Sequence, residues 1–272
     1  MMPEQALTED EQALLQALNE IASRRPLLVV TDFDGTLSPI VADPVQAALA
    51  EGAEQILLRL GEFPGVHVAV MSGRGFTDLT ERVGRLSGVH LIGSHGAEYG
   101  AAAETTLGGQ RDELVAELET LLAPYADSFL EIKPVSASVH TRRMADRVAA
   151  AALREQTLSG PGAVAGRTVK AGKEVVEIAV VEADKGVALR RLAAEVGAAS
   201  VVYLGDDVTD EDAFAVLGPD DVGIKVGDGP TRASYRLPDS AAVLPALDRL
   251  ANVLESGEDD LRMAHWIDSP WS

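Results

Sequence analysis

The sequence predicts an α/β protein: a doubly wound parallel-sheet core interrupted by a smaller α+β insert. Three observations carry this. Short apolar runs alternate with helix-like stretches from Leu27 to Ile92, the alternation resumes at Lys185, and between about Thr105 and Asp184 it gives way to paired strand-like segments. Strands covered on both faces read as unbroken apolar runs, and βα alternation is the pattern of a parallel sheet.

In order, Thr8 and Glu11 have capping-box spacing, and Leu14, Leu15, Leu18, Ile21 and Ala22 recur at helical spacing before Pro26, predicting an opening packing helix. Leu27 to Thr31 reads as a buried strand, Ala50 to Leu60 as a helix, Val66 to Met71 as a strand, the stretch after Thr77 as a helix, and Val89 to Ile92 as a strand. The insert reads as a helix near Asp112 to Leu122, strands Phe129 to Lys133 and Ser136 to Thr141, a helix, and strands near Arg167 and Val176. Gly108 and Gly109 are a plausible hinge, and Gly160, Gly162 and Gly166 an internal loop. From Lys185 a helix leads to a strand Ser200 to Leu204, a helix near Asp210, and short strands near Val222 and Val243. The organisation expected is core over 1–104, insert over 105–183 and core again over 184–272.

The chain has 272 residues, 46% of them hydrophobic, and no apolar run near the roughly 20 residues of a membrane span. Its start, MMPEQALTEDEQ, lacks the basic and apolar regions of a secretory signal, which predicts a cytoplasmic protein, and the absence of cysteine fits a reducing compartment. The formal charge of −20 argues against a nucleic-acid or membrane partner, since no run of Lys or Arg offsets it. An anionic small substrate meets the same repulsion, for which a divalent cation and a few placed bases are the usual remedy.

Asp32-Phe33-Asp34-Gly35-Thr36 ends the first strand, where alternation orients Asp32 and Asp34 alike. One carboxylate can displace a phosphoryl group and a second can protonate the leaving oxygen and activate water. Alone, the segment fits a polar turn equally well. Gly205-Asp206-Asp207-Val208-Thr209-Asp210-Glu211-Asp212 crowds five acids into seven positions after another apolar strand; a solvated helix start is one reading and a site for a hard cation such as Mg2+ the other. Ser72-Gly73-Arg74 closes the strand from Val66 and could offer a hydroxyl and amides to phosphate, although a Ser-Gly turn is commonplace. Lys185, one of only five lysines, stands at a helix start where the dipole disfavours a cation, so an anionic partner would explain it; a solvated surface lysine is the alternative.

These elements, in this order, resemble the signature of the haloacid dehalogenase superfamily of phosphohydrolases. Longer matches resemble its trehalose-phosphatase branch: Thr31 through Ile40, Ser72-Gly73-Arg74, Gly93-Ser94-His95-Gly96-Ala97-Glu98-Tyr99, and Gly205 through Phe214. The resemblance implies a Rossmann-like core with the insert as a mobile cap domain. It also implies Asp32 as nucleophile, Asp34 as general acid/base, and Ser72 and Lys185 on the phosphate. Mg2+ would be held by Asp32, the Asp34 carbonyl and Asp206, with Asp207 and Asp210 in support. In the cap, Lys133-Pro134-Val135-Ser136, His140-Thr141-Arg142 and Glu177 resemble the branch's sugar-reading positions, with Gly73, Arg74, His95, Gly96 and Glu98 alongside; unaided, Lys133, His140 and Arg142 read as a charged strand face. One departure is Ile178-Ala179-Val180, where the branch carries an Arg-Pro pair.

The function implied is hydrolysis of a sugar phosphate, trehalose 6-phosphate, with a functional link to a trehalose-phosphate synthase. The alternatives are the same chemistry on a glucosylglycerate or sucrose phosphate, a phosphomutase, or a catalytically silent sugar-phosphate sensor. The acidic stretch Glu255 to Asp260 with the closing Trp266 and Trp271 is expected to be a solvated tail with some packing.

Overall fold

The computed structural model describes residues 8–267. In chain order the first elements are α1 (Glu9–Ile21), β1 (Leu27–Asp32), α2 (Ala53–Glu62), β2 (Val66–Met71), α3 (Phe76–Val83), β3 (Val89–Gly93) and β4 (Glu98–Tyr99). There follow α4 (Ala101–Leu122), β5 (Phe129–Ile132), β6 (Ser136–His140), α5 (Arg147–Ser159), β7 (Thr168–Ala171) and β8 (Val175–Ala179). The chain continues with α6 (Lys185–Val196), β9 (Ser200–Gly205), α7 (Asp210–Phe214), β10 (Val222–Val226), β11 (Tyr235–Leu237) and α8 (Val243–Ile267). They form two compact units: one of the described residues to Ser72, Leu79–Leu91 and those from Asp184, the other of Gly73–Asp78 and Ile92–Ala183. Among the described residues no helix is long and apolar enough to cross a membrane.

The first unit is built on the parallel strands β11-β10-β9-β1-β2, with β3 next in the sheet order. The apolar run of β1 is buried throughout, as expected of a central strand in a parallel sheet. One face buries Leu27, Val29, Val66, Val68 and Val70 against Leu18 and Ile21 of α1, Leu57 and Leu60 of α2, and Leu247, Leu250 and Leu254 of α8. Helix α1 starts at the expected capping box: Glu11 N–H donates to Thr8 Oγ1 at 3.2 Å and Thr8 N–H to Glu11 Oε2 at 2.8 Å.

From β1 the chain builds outward through β2 and β3 on one side and, after the second unit, through β9, β10 and β11 on the other. The order therefore reverses between β1 and β9, the place where open α/β sheets bind ligands beyond the strand ends. Register does the rest. Asp32 pairs with Met71, so Ser72 follows at the same edge, and Thr31 pairs with Leu204, so Gly205 and Asp206 follow on the other flank.

The second unit centres on an antiparallel sheet, β5-β6-β8-β7. Ala137, Val139, Val176 and Ile178 pack with Leu114 and Leu118 of α4 and Leu153 of α5 into its own core. Alternation places Ser136, Ser138 and His140 on the opposite face, where Ser138 stands in register with Glu131 and Glu177.

Three segments depart from the sequence reading. Helix α4 begins at Ala101, not near Asp112, and Gly108 and Gly109 lie inside it rather than at a hinge. Leu107, Leu114, Leu118 and Leu121 all pack on the unit's core, so tertiary burial carries the helix across two residues that each cost about 1 kcal/mol of propensity. No strand forms near Val243; the strand is β11, and Val243 opens α8, with Asp239 Oδ1 accepting from Ala241 N–H at 2.9 Å just before it. The apolar run there is a helix face, since Val243, Leu247, Leu250, Ala251 and Leu254 are buried at helical spacing. Glu255 to Asp260 belongs to α8 and is not a tail, with Glu255, Ser256 and Gly257 exposed on it. Residues 1–7 and Trp271 lie outside the described residues.

Candidate active site

At the strand edge of the first unit, Lys185 Nζ donates to Asp32 Oδ1 at 2.6 Å and to Asp210 Oδ1 at 2.7 Å. Each partner comes from a different element: the end of β1, the first turn of α6 and the first turn of α7. Lys185 is only 2% exposed, so the surface-lysine reading is excluded. Its helix start is capped instead by Asp184, whose Oδ1 accepts from Val187 N–H at 2.8 Å. Asp210 accepts three hydrogen bonds: Oδ1 also accepts from the Tyr203 hydroxyl at 2.7 Å, and Oδ2 from Asp207 N–H at 2.9 Å. Two glycines make this crowding feasible. A Cβ on Gly205 would lie 2.3 Å from the Asp210 carboxyl carbon, and one on Gly35, whose φ of +82° is left-handed, 2.1 Å from Asp206 Oδ2.

Burial pushes the Asp32 carboxyl up to about 8, against the attraction of Lys185 and with Asp210 and Asp206 adding to the rise. Burial alone would favour a neutral Lys185, but attraction to Asp32 and Asp210 outweighs it and holds the ammonium above the ordinary lysine value. Asp206 is pushed up to about 6, chiefly by burial and then by Asp210 and Asp207. One carboxylate oxygen from each of Asp32, Asp206 and Asp210 lies within 4.8 Å of the others. Asp206 Oδ1 is buried without a hydrogen-bond partner among the described residues. A buried acceptor without a donor costs free energy, and an all-oxygen set with an orphaned lone pair fits a hard divalent cation. Asp210 already accepts from three donors, which leaves Asp32 and the orphaned Asp206 Oδ1 the less committed oxygens of the three. Asp34 is half-buried beside them in sequence, and Ser72 is fully buried at the end of β2.

In the second unit, Glu177 Oε1 accepts from Ser136 Oγ at 2.7 Å and Lys133 Nζ at 3.1 Å. Burial disfavours the Glu177 charge, yet these donors outweigh it and keep its pKa below the ordinary value. His140 Nε2 lies 2.9 Å from Glu131 Oε2. Arg142 is not in that group: it pairs with Glu174 at 3.4 Å, and its side chain is 85% exposed. Arg74 pairs with Asp78 at 2.8 Å. Glu98 is buried, and its Oε2 accepts from Phe76 N–H at 2.7 Å and Ser94 Oγ at 2.9 Å. It thereby holds a turn in which Ser94 and His95 are both left-handed, at φ 49° and 53°, and Gly96 follows at 101°. Two such non-glycine residues cost of order 1 kcal/mol each and persist only where the surroundings hold them. The His95 ring fits against Gly73, where a Cβ would lie 2.4 Å from Cε1.

The family model for trehalose-phosphatase matches residues 30–241, which include every site residue named above. The chain belongs to the trehalose-phosphatase family. A trehalose-phosphate phosphatase of Mycobacterium tuberculosis is 40% identical over 265 residues, 88% of this chain and 66% of that protein. An uncharacterised glycosyl hydrolase of the same species is 36% identical over 93% of this chain, which corresponds to 20% of its own length. The chain thus spans just under two thirds of the first of these relatives and a fifth of the second. Among solved structures, a trehalose-6-phosphate phosphatase of Aspergillus fumigatus matches with a TM-score of 0.70 and 28% identity, covering 91% of this chain and 98% of that one.

Against this trehalose-phosphatase frame, sequence reasoning missed several residues. Tyr203 and Lys225 are buried in the first unit's cluster, Tyr203 on Asp210 and Lys225 Nζ on the Asp206 carbonyl. A signal for Tyr203 existed: it is the one aromatic in the aliphatic run of β9, in a chain with 4% aromatics. Glu131, in the second unit, had none, because it stands opposite Ser138 and meets His140 only diagonally across the β5–β6 pair.

Proposed function

We propose that this chain hydrolyses trehalose 6-phosphate to trehalose and phosphate through an aspartyl-phosphate. The observation that carries the chemistry is the buried Lys185 ammonium, which spends two N–H groups on Asp32 and Asp210 and has a third for a phosphate oxygen. Asp32 attacks phosphorus in line, while Lys185 and the Ser72 hydroxyl stabilise charge on the nonbridging oxygens. Asp34 protonates the leaving sugar oxygen, then takes a proton from the water that hydrolyses the acyl phosphate. Asp32, the Asp34 carbonyl and Asp206 would hold Mg2+, with Asp207 and Asp210 in support; when bound it supplies positive charge to the phosphoryl oxygens and keeps Asp32 ionised.

Sugar recognition is assigned to Lys133, His140, Arg142 and Glu177, with His95 and Gly96 from the held turn and Gly73 and Arg74 after β2. Glu98 contributes by clamping that turn. A disaccharide offers many hydroxyls, and charged donors and acceptors reject a sugar that leaves them unpaired. A cytoplasmic setting and a functional link to a trehalose-phosphate synthase, which would supply the substrate, belong to the same proposal.

The test is phosphate release from trehalose 6-phosphate with and without Mg2+, beside glucose 6-phosphate, sucrose 6-phosphate and glucosyl-3-phosphoglycerate, with Asp32→Asn as control. Preference for trehalose 6-phosphate that needs Mg2+ and Asp32 supports the proposal. Activity confined to another sugar phosphate overturns the sugar assignment, transfer to sugar instead of water indicates a mutase, and no Asp32-dependent turnover indicates a sensor.

A further inference from the structure

We infer that Tyr203 is a positioning residue for phosphoryl transfer, acting through Asp210 on the direction of the free N–H of Lys185. An ammonium has three N–H vectors in fixed tetrahedral relation. Two are committed, at 2.6 Å to Asp32 Oδ1 and 2.7 Å to Asp210 Oδ1, so the third direction is set by where those two oxygens stand. Asp32 is carried by a strand flanked on both sides. Asp210 sits on α7, a helix of only five residues, and needs holding. Asp207 N–H holds Oδ2 at 2.9 Å, and the Tyr203 hydroxyl holds Oδ1 at 2.7 Å, on the very oxygen that Lys185 uses.

Tyr203 is itself immobile: its ring is fully buried in β9 and meets Phe214 edge-on at 5.5 Å between centroids. Its hydroxyl also shares the charge of Oδ1. Without it, Asp210 Oδ1 faces Lys185 alone, the ammonium is drawn toward Asp210 and away from Asp32, and the third N–H turns with it. Both bonds of the ammonium are charge-assisted, so the balance between its two carboxylate partners sets where it sits. Tyr203 itself meets no substrate group; its loss acts through the aim of the Lys185 N–H, which counts most where negative charge builds on the phosphoryl oxygens in the transition state.

The inference rests on the proposed chemistry but not on the sugar, so the test uses both trehalose 6-phosphate and p-nitrophenyl phosphate. Tyr203→Phe is expected to lower kcat about tenfold on both substrates, with KM changed less than twofold and the far-UV spectrum intact. Phe214→Leu, which removes the ring partner but keeps the hydroxyl, is expected to lower Tm while kcat stays within twofold. Tyr203→Met is the second hydroxyl-free variant should the Phe form not accumulate. A wild-type kcat in Tyr203→Phe, or an equal kcat loss in Phe214→Leu, overturns the inference by reducing Tyr203 to packing. Wild-type turnover of p-nitrophenyl phosphate alone sinks the trehalose assignment and leaves the Tyr203 comparison readable; no wild-type turnover of either overturns both.

Discussion

The charged groups of the two units are held in opposite ways. In the first, Asp32, Lys185 and Asp210 are each at most 4% exposed and joined in one network with Tyr203. In the second, Lys133 with Glu177, His140 with Glu131 and Arg142 with Glu174 are separate pairs, each with one or both partners open to solvent. A buried charge cannot be left unpaired, so removing one member of the first set disturbs the others, whereas exposed pairs contribute about 0–1 kcal/mol and can be altered singly. On the proposed function, bond-making chemistry takes the fixed arrangement and recognition of a hydroxyl-rich ligand the adjustable one.

The contrast breaks most visibly at Asp32 and Lys185. With Asp32 as the proposed nucleophile, Asp32→Asn is expected to cost roughly 10⁴-fold or more in turnover of trehalose 6-phosphate, with the fold intact by circular dichroism. Lys185→Met should lose comparable activity and also about 3–5 kcal/mol of stability in urea unfolding, because Asp32 and Asp210 then face each other without their shared cation. A Lys185→Met protein as stable as the parent would show the network to be less coupled than its geometry states.

Gly35→Ala tests crowding in place of charge. The methyl would overlap Asp206 Oδ2 and must adopt a left-handed φ, so about a hundredfold loss of turnover is expected, in line with a 1 Å misplacement of a catalytic group. Gly109→Ala, at an open helical position of the second unit, should raise stability slightly and leave turnover unchanged.

A pH series separates the units by proton linkage. Asp32 and Asp206 rise from the ordinary 3.8 to about 8 and about 6, so between these values the folded cation-free protein holds protons that the unfolded chain has released. Their contribution therefore makes stability fall as pH climbs from 4 toward 8. A divalent cation requires both carboxylates ionised and competes with those protons. The rise in Tm on adding Mg2+ to EDTA-treated protein is thus expected to be larger at pH 8 than at pH 5.5, and to vanish in Asp206→Asn. An equal rise at both pH values would count against Asp32 and Asp206 as the ligands.

Much of the first unit was legible because its strands are unbroken apolar runs that stop at chemistry: β2 and the start of β9 fall where the sequence puts them, with Ser72 and Asp206 just beyond. What escaped depended on partners distant in sequence. Nothing local to Lys185 reveals that it meets Asp32, 153 residues away, and the Gly108-Gly109 pair looks like a break until Leu107 and Leu114 are seen packing on one core. The run at Val243 shows the standing ambiguity of short apolar segments, which only burial resolved as a helix face.

The smallest effects belong to the second unit and sharpen the comparison most. Glu177→Gln keeps the shape but weakens the grip on Ser136 and Lys133; KM for trehalose 6-phosphate should rise about tenfold, with p-nitrophenyl phosphate turnover unaffected. Arg142→Ala lies further out. Its guanidinium shares Glu174 with Arg147, which approaches at 2.8 Å, so the carboxylate keeps a partner when Arg142 goes, and stability should change by less than about 0.5 kcal/mol. A KM change at Arg142 therefore cannot be blamed on the fold. A threefold rise for trehalose 6-phosphate alone would show that an exposed arginine reads the sugar, while an unchanged KM would remove Arg142 from the site and leave recognition to the Lys133, Ser136 and Glu177 group.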